Sequence, residues 1–183
     1  MKQLLYSILI FTALVQLALA QKVTNAEPEF VGVVMLVSEG DTPAQILEKQ
    51  KASIASKADV GAAIFGIPMG KGMNIVNGAQ SPVRTSRKST VRLIVKVSDN
   101  SKDPTEIVNM FRMEQDKKKD KRVLIVGKVN FNKSSALDIK FLQFKGSKYG
   151  TSSYLIELSD VEPGEYAATL EGSRGVFNLF GVD

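Results

Sequence analysis

The strongest constraint on what this chain can fold into is the spacing of its short apolar runs. Residues 91–97 show the unit most clearly: Val91, Leu93, Val95 and Val97 fall on one side of an extended chain, Arg92 and Lys96 on the other. A period of two puts one face against a core and the other in water. Residues 31–37 form a continuous run rich in β-branched side chains, bounded by Ser38-Glu39-Gly40-Asp41, with the length and edges of a buried strand. Further strands are expected over residues 107–113, 123–129, 139–144, 153–158, 165–170 and 176–180. Turn signals separate them: Asp99-Asn100-Ser101, Asn132-Lys133-Ser134-Ser135, Gly146-Ser147, Glu162-Pro163-Gly164 and Gly172-Ser173. Strands so punctuated argue for a sandwich or barrel, and we expect an all-β, single-domain antiparallel β-sandwich.

Residues 42–57 admit two readings. Thr42-Pro43-Ala44-Gln45 carries the marks of a helix start: a capping hydroxyl, a proline in the first turn and a glutamine three residues after the cap. A helix continuing to residue 57 would turn Ile46, Leu47, Gln50 and Ile54 inward. Read with period two, residues 48–58 alternate charged and small side chains, as in an exposed strand leading into Ala62-Ala63-Ile64-Phe65. We favour strand from Gln50 onward, with a short helical turn over residues 43–47 on either reading.

The N-terminus adds a targeting feature. Lys2 precedes an apolar run from Leu4 to Leu19, broken by Tyr6, Ser7, Thr12 and Gln16, and the run closes on Ala18-Leu19-Ala20. Positive start, apolar middle and small-x-small exit predict a secretory signal peptide over residues 1–20, cut after Ala20. A membrane anchor needs roughly 20 predominantly apolar residues, and this run is shorter and interrupted. Residues 21–29 read as a flexible lead-in, leaving residues 30–183 for the sandwich. The expected location is secreted or periplasmic, with no transmembrane segment after signal cleavage. Removing residues 1–20 takes one lysine and no carboxylate, lowering the formal charge from +5 to +4, a weak attraction to anionic surfaces. The chain has no cysteine, so packing rather than disulfides must hold it.

Near the C-terminus, Leu158-Ser159-Asp160-Val161-Glu162-Pro163-Gly164-Glu165-Tyr166 runs into Ala167-Ala168-Thr169-Leu170. Proline presets one turn dihedral and glycine accepts a positive one. This Pro-Gly-x-Tyr arrangement resembles the penultimate turn and strand of immunoglobulin-like sandwiches, where a tyrosine hydrogen-bonds back across the corner. The resemblance implies that Pro163, Gly164 and Tyr166 form a structural corner and that Tyr166 is not catalytic. The chain departs from antibody-type domains in having neither their cysteine pair nor their core tryptophan. It is also similar to small secreted proteins of Gram-negative bacteria with a comparable Phe180-Gly181-Val182-Asp183 tail, a likeness that implies a fold and no activity.

Residue types exclude most catalytic classes. Without His or Cys, a Ser-His-Asp triad, a cysteine nucleophile, His- or Cys-ligated haem and the usual zinc sites cannot be assembled. No serine has a lysine three positions on, the spacing of serine–lysine hydrolases. Gly66-Ile67-Pro68-Met69-Gly70-Lys71-Gly72 falls short of a phosphate-binding loop, with one residue too few between its glycines and Gly72 in place of Ser or Thr. Asp99-Asn100-Ser101-Lys102-Asp103 begins like a calcium loop, but Pro104 takes the place of the required glycine and Met110 that of the bidentate glutamate. We expect no metal and no cofactor. Paired carboxylates could still hydrolyse a glycosidic bond, although residues 21–183 offer a sugar no Trp and, of Tyr, only Tyr149, Tyr154 and Tyr166.

Two basic clusters remain as binding candidates. Lys117, Lys118, Lys119, Lys121 and Arg122 surround Asp120 between two expected strands, the pattern of a solvated hairpin tip. The cluster lacks interleaved aromatics, so nucleic acid is not expected as a partner. Arg84, Arg87, Lys88 and Arg92 lie after Pro82, and Arg84 has a second reading, as a loop anchor hydrogen-bonded twice to a carboxylate. The expected function is surface contact by a non-enzymatic domain with protein or an envelope component. The alternative is a carbohydrate-binding domain or a carboxylate-based glycoside hydrolase.

Overall fold

The computed structural model describes residues 26–37, 44–58, 70–86, 90–130, 133–136 and 139–183. The smaller of its two sheets is built on β7 (Thr90–Lys96), the alternating segment, flanked by β1 (Val34–Val37) and β12 (Ser153–Ser159). β2 (Gln45–Ile46) and β11 (Lys145–Tyr149) are its edges, in the order β11-β12-β7-β1-β2. The larger sheet centres on β8 (Val108–Asp116), β13 (Gly164–Leu170) and β14 (Val176–Val182). β9 (Lys121–Asn130), β5 (Gly70–Asn77) and β4 (Ser53–Ala58) follow β8 in turn, and β3 (Glu48–Lys51) lies outside β14. β10 (Lys133–Ala136) pairs with β9; β6 (Arg84–Thr85) pairs with β14 in parallel, unlike the antiparallel ladders around it.

The sheets pack face to face. Val91, Leu93 and Val95 of β7 and Ile156 and Leu158 of β12 meet Met110 of β8, Tyr166 and Ala168 of β13, and Phe180 and Val182 of β14, all buried. Burying a Leu- or Phe-sized side chain contributes about 1.5–3 kcal/mol, so this layer dominates the sandwich. The strand order is immunoglobulin-like. β1, β7, β11 and β12 take the places of strands A, B, D and E, while β8, β13 and β14 take those of C, F and G, with β9 beside C. At the corner, the Tyr166 hydroxyl donates to the Glu162 carbonyl at 2.5 Å, and its ring stacks on Phe180 at 5.4 Å between centroids.

The described residues between strands A and B, 44–58 and 70–86, build a second feature. β3 and β4 are separated by Ala52 alone, yet they sit at opposite ends of the larger sheet. The sheet therefore curls until its two ends meet on one bent strand, as sheet corners do. The Ala52 N–H bonds the Gly175 carbonyl at 2.9 Å there. Inside the curl lies a second core of Val76, Phe111, Met113, Leu124, Ala167, Phe177 and Leu179.

Several elements differ from expectation, each for a physical reason. Gly32, at φ +83°, turns the chain, so β1 starts at Val34 rather than residue 31. Residues 45–46 pair with Met35 and Leu36 instead of forming a helical turn, and residues 48–51 and 53–58 are strands. Asp103 caps a single helical turn, α1 (Pro104–Ile107), which delays β8 to Val108. Residues 139–144 pair with the sheet by a single backbone bridge, Phe141 to Phe111, while Ile139, Leu142 and Phe144 pack against the cores; the strand is β11. Gly146, expected in a turn, lies within β11 because Pro104 occupies the space its Cβ would need. Ser134 and Ser135 likewise belong to β10, not to a turn. The expected signal segment, residues 1–20, and most of the Gly66–Gly72 loop lie outside the described residues. Of the expected lead-in, residues 26–29 are described. Glu27 accepts from Ser152 N–H and Thr151 Oγ1 and pairs with Lys96 at 3.3 Å. Among the described residues no helix is long and apolar enough to cross a membrane.

Candidate functional site

The second basic cluster is largely consumed by the fold. Arg84 Nε and Nη2 both donate to Asp183 Oδ1, at 2.8 and 2.6 Å, while Nη1 donates to Glu165 Oε1 at 2.5 Å. Its guanidinium lies against the backbone of Gly181, where any Cβ would collide with it. Asp183 is correspondingly held below the usual carboxylate range, first by the Arg84 hydrogen bonds. Arg92 pairs across the ladder with Glu157 at 2.9 Å. Arg87 and Lys88 lie outside the described residues.

The first cluster splits. Arg122 turns inward and is fully buried at the end of the curled sheet. Its Nη2 reaches both oxygens of Glu48 at 3.0 and 2.9 Å and the Asn77 carbonyl at 2.9 Å, and its Nε donates to the Gly78 carbonyl at 2.8 Å. Nη1 lies 3.6 Å from Glu165 Oε2 and has no hydrogen-bond partner among the described residues. Glu165, equally buried, accepts from the Ser81 N–H as well as from Arg84. Beside this network Gln50 makes the two bonds a neighbouring backbone would make, donating to the Asn77 carbonyl and accepting from its N–H, each at 3.0 Å. Charged and amide side chains thus fill the gap between β3 and β5 where no backbone ladder runs.

Lys117, Lys118 and Lys119 stay outside, exposed in the four-residue turn between β8 and β9. Lys119 Nζ is 3.8 Å from Asp116 Oδ2. Together with Lys121 they rim an open groove of about 700 Å³ whose floor is Met73 and Ile75 of β5 and Val123 and Ile125 of β9. Glu114 and Asp116 also border it. The floor residues alternate along their strands with the inward-facing Val76, Arg122 and Leu124. They occupy the sheet face that the smaller sheet covers over β13 and β14; among the described residues that cover ends beyond β8, and the four floor residues are half-buried. The lysines were legible as a cluster, but the floor was missed. Apolar residues on both alternating faces of residues 121–126 were the available signal.

A second cleft, of about 450 Å³, lies at the opposite end of β8, between residues 96–102 and the hairpin joining β13 and β14. Asp99 and Asp103 nearby are held below the usual carboxylate range by Ser101 and Thr105 hydrogen bonds. Glu27 is held down to about 2, first by the Ser152 N–H. A glycosidase acid needs the opposite, a carboxyl raised by its surroundings.

No family model matches the chain, and no curated protein matches it. Among solved structures it is similar to a crystal structure of the ZIG-8–RIG-5 IG1–IG1 heterodimer, at 12% identity and TM-score 0.29, covering 55% of this chain and 78% of that one. A likeness at that level carries no functional argument. The immunoglobulin-like assignment rests on the strand order and the Tyr166 corner.

Proposed function

We propose that the protein is an exported, non-enzymatic β-sandwich domain that acts by surface contact with protein or cell-envelope material. The contact surface in this reading is the lysine-rimmed face of β5 and β9. One observation carries it: a sheet face that is apolar and covered over β13 and β14 continues over β5 and β9, still apolar but only half-buried among the described residues. Uncovered apolar area bordered by charge is the usual mark of an interaction site on a water-soluble domain.

The test is retention of envelope extract from the source cell on immobilised residues 21–183, eluted with rising salt. Saturable retention that is lost in the K117E/K118E/K119E variant is the expected result. Retention that this variant leaves unchanged would move the contact surface elsewhere.

A further inference from the structure

Resting on that reading, we infer that the groove over Met73, Ile75, Val123 and Ile125 takes an acidic, partly apolar polypeptide segment of a partner protein. Charge complementarity selects the acid. Lys117, Lys118, Lys119 and Lys121 line the groove against two carboxylates, Glu114 and Asp116, and only Lys119 has one of these within ion-pair distance. The four-residue floor selects for apolar side chains, because covering it removes apolar area from water.

The same residues argue against the other anionic classes. Among the described residues the groove lining has no aromatic side chain, so bases and sugars lack a stacking platform there. A bilayer would meet charge before apolar surface, because the hairpin turn exposes Lys117, Lys118, Lys119 and Asp120 whereas the apolar floor is half-buried. Small-molecule sites enclose most of their ligand, whereas this groove opens to solvent. A polypeptide segment can lay apolar side chains on the floor and acidic ones against the lysines while remaining solvated on its outer side.

The probe is a fluorescein-labelled octapeptide alternating Glu and Val, titrated by anisotropy against residues 21–183. Binding weakened by salt, and reduced about tenfold or more in K117E/K118E/K119E, is expected from loss of the complementary charge. An octapeptide alternating Glu and Ser should bind several-fold more weakly, and this comparison leaves the protein untouched. Equal affinity for the two peptides would overturn the inference, since the floor would then contribute nothing. Phosphatidylglycerol vesicles that bind and displace the Glu-Val peptide would overturn it in favour of a lipid surface. If neither peptide binds while lysine-dependent retention of envelope extract persists, the inference fails and the contact reading stands. If that retention is indifferent to the lysines, the inference fails and the contact surface lies elsewhere on the domain.

Discussion

Lys119 and Arg122 belong to one basic run, and the fold gives them opposite environments. Lys119 stands at a hairpin tip with most of its side chain in water and one carboxylate nearby. Arg122 is wholly buried, with Glu48, Asn77 and Gly78 around its guanidinium and Glu165 on the far side. The difference comes from position relative to the strand. Residues 117–120 form the turn, whereas Arg122 lies inside β9 on the alternation that also buries Leu124. Charge in the turn is free to meet a partner; charge on the inner face of a curled sheet must be matched internally. Arginine suits the second role, since its planar fork serves several carbonyl and carboxylate oxygens at once.

The comparison is broken most severely at Arg122. Removing one partner of a buried ion pair typically costs about 3–5 kcal/mol, because the other charge remains buried and unpaired. Urea unfolding of Arg122→Met should show a loss of this size; a variant as stable as the parent would mean that Glu48 and Glu165 are solvated in its absence. Arg84→Ala removes partners from Glu165 and Asp183, but Ser81 still serves Glu165 and Asp183 is exposed, so about 1–3 kcal/mol is expected. Gly181→Ala should reproduce part of that loss by displacing the guanidinium, seen as a changed Asp183 carboxyl shift in NMR.

Smaller effects sharpen the contrast. Tyr166→Phe deletes the corner hydrogen bond while keeping the ring on Phe180, and should cost about 1 kcal/mol in the same unfolding assay. Glu27 is a third kind of charge, partly exposed yet tied to the turn between β11 and β12. Its pKa falls from 4.5 to about 2, so its contribution is fully present above pH 4.5 and is lost as the pH falls through about 2. The Ser152 amide shift, followed by NMR, should titrate with a midpoint at about pH 2 in the parent and stay flat in Glu27→Gln. The K117E/K118E/K119E variant should leave the unfolding midpoint nearly unchanged, within about 0.5 kcal/mol, as substitutions at exposed sites usually do. A large destabilisation there would place the lysines among the structural charges.

Much of the fold was legible because it depends on local pattern. The period-two run of β7 and the Pro163-Gly164-Glu165-Tyr166 corner depend on neighbouring residues, and both appear where the sequence puts them. The misread segments were those where a distant contact outweighed a local signal. Gly146 looks like a turn residue but serves the close approach of Pro104, and Thr42-Pro43-Ala44-Gln45 looks like a helix start although β1 offers Gln45 and Ile46 a strand partner. The candidate site was half legible. Lysines announce themselves as a cluster, whereas Met73, Ile75, Val123 and Ile125 look like core until the extent of the covering sheet is known.

By itself, then, the sequence determined the strand class, the corner, the exclusion of His- and Cys-based chemistry and the presence of two basic clusters, because each follows from residue type or spacing within a dozen residues. Only the tertiary structure decided that residues 48–58 bend from one edge of the larger sheet to the other. It likewise decided that Arg84 and Arg122 serve Asp183, Glu165 and Glu48, and that among the described residues the face over β5 and β9 is only half-buried. Those outcomes depend on which strands become neighbours, and the burial of a side chain is a property of the layer that covers it.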